Sequence, residues 1–110
     1  MTNIKDDFYY LKRIKQDTSF IVSHMKDITI EELNTNEVLL DSMMFRMIQI
    51  SENAKKLTDE SKKNHPQISW NELNGMRNRV VHDCGSVDLN IVFMTLKQDI
   101  PDLLEQIDNL

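Results

Sequence analysis

Apolar residues recur every three or four positions along most of this chain, a spacing that predicts helices rather than strands. From Ile4 the stripe runs through Phe8, Leu11, Ile14, Ile21, Val22 and Met25 with charged residues on the other face. That predicts a first helix of about two dozen residues with Phe8 among its inward positions. The polar segment Thr29 to Asn36 reads as a connection, and Asn34 with Glu37 three residues later offers a helix start. A long second helix then carries Leu39, Leu40, Met43, Met47, Ile50, Ala54 and Leu57, with Met44 and Ile48 widening the stripe. It should run to Asn64-His65-Pro66, where proline restricts the residue before it and Lys62 and Lys63 suit the negative end of the helix dipole. Ser69 and Glu72 form a capping-box pattern before a shorter third helix that starts at Trp70, turns Leu73, Met76 and Val80 inward and continues through residue 82. Gly85 and Ser86 break the run. Asp88 then caps a fourth helix with the stripe Leu89, Val92, Leu96, Ile100, Leu103, Ile107 and Leu110, which Pro101 should kink or split.

Composition supports this pattern. A chain of 110 residues with 2 Gly, 2 Pro and 7 Met is expected to be one all-α domain over residues 1–110. No stretch has the apolar length of a signal peptide or membrane span, and the single cysteine, Cys84, cannot form an internal disulfide, so a soluble cytoplasmic protein is expected. The net charge of -5 argues against non-specific binding to a nucleic-acid backbone, because such binding sums many cationic contacts. RNA would have to be met locally, through Arg77, Arg79 and Arg46 with Lys55, Lys56, Lys62 and Lys63.

The chemistry concentrates in Met-Arg-Asn-Arg-Val-Val-His-Asp, residues 76–83. Guanidinium groups present planar, permanently charged donors to phosphate oxygens, and an imidazole exchanges protons near neutral pH, a combination suited to phosphodiester cleavage. On an ideal helix Arg77 and His82 would stand about 140° apart, so one copy makes a poor pocket and a two-fold partner would help them converge. Two plainer readings stay open: His82 and Asn78 bonding the helix end, and Arg77 in a surface ion pair. His82-Asp83-Cys84 invites a metal, but no two cysteines or two histidines stand a helical turn apart, and no metal or cofactor is expected. Met43, Met44 and Met47 fit adaptable core or dimer packing, and Trp70 an anchor for the third helix.

Trp70, Arg77-Asn78, His82, Val87-Asp88-Leu89 and Pro101-Asp102-Leu103, in that order and across all four helical segments, resemble the HepT branch of the HEPN superfamily. The resemblance implies an antiparallel four- to five-helix HEPN bundle, homodimeric, with Arg77 and His82 as catalytic residues at the dimer interface. It also implies metal-independent RNA cleavage, and a toxin role in a type VII-like pair neutralised by an MNT-type nucleotidyltransferase antitoxin. Asn78, Arg79 and Glu52 would be supporting residues. Two departures stand out. Cys84 occupies the place of the family's modified tyrosine, and Ser51-Glu52-Asn53-Ala54 keeps the glutamate of the family's Gly-Glu-Ala but not the glycine. A rival expectation is a non-catalytic partner subunit that holds a nucleotide or the nucleotidyltransferase in the same cleft.

Overall fold

The computed structural model describes residues 6–81 and 87–109. Helix α1 spans Asp7–Met25, starts where the Asp6 carboxylate accepts from Tyr9 N, and buries Ile14, Asp17, Thr18, Ile21 and Met25. Phe8 stays 74% exposed, because the helix begins only one residue earlier and its first turn reaches past the core. The segment expected to be a connection contains a short helix, α2, Ile30–Thr35. Thr29 and Glu32 close a reciprocal capping box around its first turn, and Leu33 is fully buried, so local capping and one anchor suffice to order it.

Helix α3, Glu37–Lys55, is capped by Asn36, whose side chain accepts from Leu39 N; the cap is two residues later than Asn34. Met43, Met47, Ile50 and Ala54 are buried on it, so two of the three clustered methionines are core. The helix ends well before Pro66. The chain turns at Lys56–Leu57 and restarts as α4, Asp59–Asn64, because Thr58 caps a new first turn at Ser61 N. Asp7 holds that cap in place: its two carboxylate oxygens accept from Thr58 N at 2.9 Å and Thr58 Oγ at 2.6 Å.

Helix α5 is Trp70–Val80. The sequence suggests a Ser69–Glu72 capping box, but Ser69 makes no side-chain cap bond, and the indole N–H of Trp70 instead fixes the start by donating to the carbonyls of Lys62 and His65. The last rod combines α6, Leu89–Met94, a π-helical turn, Thr95–Asp99, and α7, Ile100–Asp108. Asp88 caps it as the sequence predicts, accepting from Asn90 N and Ile91 N. Pro101, placed in the first turn of α7, splits the rod: it lacks an N–H, and the wider turn before it absorbs the missing bond.

α1 packs against α3, the π turn and α7, while α3 packs against α5 and α5 against α6. The result is an antiparallel all-α bundle of four rods with two short helices at its ends. The only β pairing among the described residues is a single antiparallel bridge between Val81 and Val87, beside the end of α5.

Candidate active site

Arg77 and Asn78 occupy the last turn of α5, and both are exposed. Leu73, Met76 and Val80 seat the helix in the core, which leaves Arg77 at the edge of that apolar face. Among the described residues Arg77 makes no hydrogen bond or ion pair. Among the described residues, then, nothing takes up its guanidinium donors, which suit an outside anion.

The α5 helix ends at Val80, with Val81 as its last flanking residue. Val81 N donates to the Arg77 carbonyl at 3.0 Å and Val81 then turns extended, drawn out by its pairing with Val87. Two consecutive β-branched valines favour that change of backbone. His82 and Cys84 themselves lie outside the described residues, with Val81 and Val87 flanking them.

One turn before Arg77, the Asn74 carbonyl accepts from Ser51 Oγ at 3.3 Å, which ties α5 to α3 next to the expected site. The Oδ1 atom of Asn74 is buried without a hydrogen-bond partner among the described residues. Glu52 follows Ser51 on α3 and pairs loosely with Lys55 at 3.7 Å. Lys56 lies over the Tyr10 ring instead of reaching α5.

Arg79 takes a different direction. It is about 160° around the helix from Arg77, and its Nη1 donates to the Glu72 carbonyl at 2.9 Å. There it borders a cavity of about 160 Å³ between α5 and α7 that also exposes Glu72, Asp99 and Asp102. Burial raises the Asp99 carboxyl above its usual range, Arg79 pulls it back, and Glu72 and Asp102 raise it further. The structure thus does not bring Arg79 together with Arg77.

Arg46 is also committed elsewhere. Its Nη1 donates to Asp17 Oδ1 at 2.8 Å, and its Cζ lies 3.8 Å from the centre of the Phe20 ring. His24 stacks on Phe20 at 3.9 Å between centroids and 26° between planes. His24 Nδ1 donates to the Phe20 carbonyl at 2.8 Å, which orients the imidazole. Asp17 is 1% exposed, and its Oδ2 has no hydrogen-bond partner among the described residues. This group in the α1–α3 groove is not apparent from motif reading. The signal was present, since Asp17 and Thr18 interrupt the buried face that Ile14 and Ile21 define.

Among the described residues no three His, Cys, Asp or Glu side chains gather as metal ligands, and no helix is long and apolar enough to cross a membrane.

Comparison with known proteins bears on the motif. Residues 11–110 match the sequence family described as ribonuclease HepT-like. A protein of Caldanaerobacter subterraneus subsp. tengcongensis named "Putative RNase" is 29% identical over 92% of this chain and 90% of its own length. One of Thermococcus cleftensis named "Probable ribonuclease HepT" is 27% identical over 92% of each chain. A longer one of Methanocaldococcus jannaschii, named "Gamma-glutamylcyclotransferase and putative RNase", is 32% identical over 94% of this chain and 46% of its own. No solved structure gives a significant match.

Proposed function

Because the chain belongs to the ribonuclease HepT-like family, we propose that it is a metal-independent endoribonuclease with a composite site at a homodimer interface. In this reading it acts as the toxin of a type VII-like pair whose antitoxin is an MNT-type nucleotidyltransferase. The observation that carries the proposal is Arg77: exposed in the last turn of α5, unpaired among the described residues, and five positions before His82. A guanidinium with no partner among the described residues is available to a phosphate.

The reaction is attack by a ribose 2'-hydroxyl oxygen on the adjacent phosphorus. The new P–O2' bond forms as the P–O5' bond breaks, leaving a 2',3'-cyclic phosphate and a free 5'-hydroxyl. One His82 imidazole takes the 2'-hydroxyl proton and a second copy's imidazole supplies one to O5'. Arg77 stabilises the charge that builds on the phosphoryl oxygens. Asn78, on the same exposed turn, orients the ribose or the imidazole. The exposed apolar side chain of Val87, which pairs with Val81 just past α5, and that of Met94 at the end of α6 suit packing against a second copy. DNA lacks the 2'-hydroxyl and would be spared.

The test is incubation of purified protein with tRNA and mixed RNA in excess chelator, alongside Arg77→Ala and His82→Ala. The expected result is cleavage with cyclic-phosphate ends, reduced by roughly 10² or more in each variant. Cleavage that survives both substitutions, or never appears, rejects the assignment. In the latter case, tight binding to the nucleotidyltransferase without cleavage would favour the rival role of a non-catalytic partner subunit, for which Cys84 at the tyrosine position leaves room.

A further inference from the structure

An acidic ribonuclease must hold RNA by something other than general positive charge, and α3 offers an alternative on the flank away from Arg77. His24, Phe20 and Arg46 form a ladder of three flat groups, with spacings of 3.9 Å and 3.8 Å. Phe20 is enclosed on both faces, so the outer rungs are the exposed imidazole of His24 and the guanidinium of Arg46, whose side chain is 30% exposed. Both are held in position beforehand, His24 by its Nδ1 bond to the Phe20 carbonyl and Arg46 by Asp17. Little side-chain entropy is then lost when a ligand stacks on them. Because Asp17 neutralises Arg46, the ladder attracts by stacking more than by charge, which fits a chain of net charge -5.

Its position also fits. α3 ends where α4 and α5 begin, so α3 and α5 run antiparallel. Ser51 meets Asn74; Arg46 lies five residues before Ser51 and Arg77 three residues after Asn74. At about 1.5 Å per residue, the two arginines stand at nearly the same level on opposite flanks of α3. Between them, on the outward crest of α3, is Phe45, 57% exposed. Cationic and aromatic groups therefore alternate across one helix: Arg77, Phe45, Arg46, Phe20 and His24. Aromatic and guanidinium planes are what unpaired bases stack on.

We infer that an unpaired stretch of RNA crosses the outer face of α3, stacking one base on Phe45 and another on the His24 end of the ladder, with its scissile phosphate at Arg77. This rests on the ribonuclease reading above and adds to it a binding surface that sets where along a single strand cleavage falls.

The test uses the full chain and a 12-nucleotide 2'-O-methyl RNA, which cannot be cleaved, bearing 2-aminopurine and a terminal fluorophore. Binding by anisotropy should weaken about 5- to 100-fold in His24→Ala and in Phe45→Ala, the range set by loss of one stacked base. His24→Phe should restore it, and stacking-dependent quenching of 2-aminopurine should follow the same order. Affinities of both alanine variants within twofold of the parent overturn the inference while leaving the nuclease intact. A parent that neither binds nor cleaves RNA overturns both. If Phe45→Ala converts a dimer to monomer in sedimentation, Phe45 belongs to a seam between copies and the inference likewise falls.

Discussion

Replacing Arg46 by methionine tests the energetics of the α1–α3 groove. The substitution keeps the aliphatic stem and its contact with Phe20 but removes the only hydrogen bond that the Asp17 carboxylate makes among the described residues. Asp17 is 1% exposed, so its charge would be left in the interior without compensation. Breaking a buried pair in this way costs about 3–5 kcal/mol. The Arg46 side chain is 30% exposed and water can follow it in, which lowers the expectation to about 2–4 kcal/mol. Against a total of about 5–15 kcal/mol for a domain of this size, that is a large share and corresponds to a fall of roughly 10–20 °C in melting temperature. The double variant Asp17→Leu/Arg46→Met removes both charges together with the unpartnered Oδ2, and should return to within about 1 kcal/mol of the parent. Equilibrium urea unfolding at pH 7 measures all three proteins. A loss below about 1 kcal/mol in Arg46→Met, or a double variant less stable than the single one, refutes the reasoning.

Three further outcomes follow from named contacts. Hydrogen bonds from Thr58, first its hydroxyl and then its N–H, hold the Asp7 carboxyl below its usual range. Its contribution is therefore present above the unfolded value of 3.8 and is lost as pH falls through the lowered folded value, so Asp7→Asn should flatten the stability profile between pH 5 and pH 3 in urea titrations. Asp99 behaves in the opposite sense: burial raises its folded value, so the fold loses stability as pH rises through that value, and Asp99→Asn should be more stable than the parent at pH 7 but not at pH 3. Trp70→Phe keeps the ring but removes the N–H shared by the Lys62 and His65 carbonyls; calorimetry should show a loss of about 1 kcal/mol, and no loss would mean that the indole does not anchor α5.

The long stripes were legible in the sequence because each apolar face is local information: Met43, Met47, Ile50 and Ala54 need only a helical period to be recognised. The short helices were harder. Thr29 with Glu32, and Thr58 before Asp59 and Glu60, are helix starts written in plain residues, but each competes with a stronger pattern nearby. Where a helix ends was less legible still, since α5 stops at Val80 because of a pairing with Val87 seven residues later in the chain. At the candidate site, Arg77 could be picked out by its neighbours in sequence. The divergence of Arg79 from it follows from their separation of about 160° around a helix and was available from the start. The Asp17–Arg46 pair was not, because it joins residues 29 apart and exists only once α1 lies against α3.

The π-helical turn has a consequence for the tolerated length of the last rod. Val92 and Ile100 are both buried, yet eight residues of uninterrupted α-helix would leave them about 80° out of phase. The Ile100 N–H reaches back to the Thr95 carbonyl, and this wider loop of backbone takes up one residue, so the two side chains meet the core as if only seven separated them, about 20° apart. Deleting one solvent-facing residue here, such as Gln98, should leave the downstream face of α7 aligned, whereas adding one would turn Leu103 and Ile107 out of the core. The rod thus has slack in one direction only: it can be shortened by a residue without being rewound.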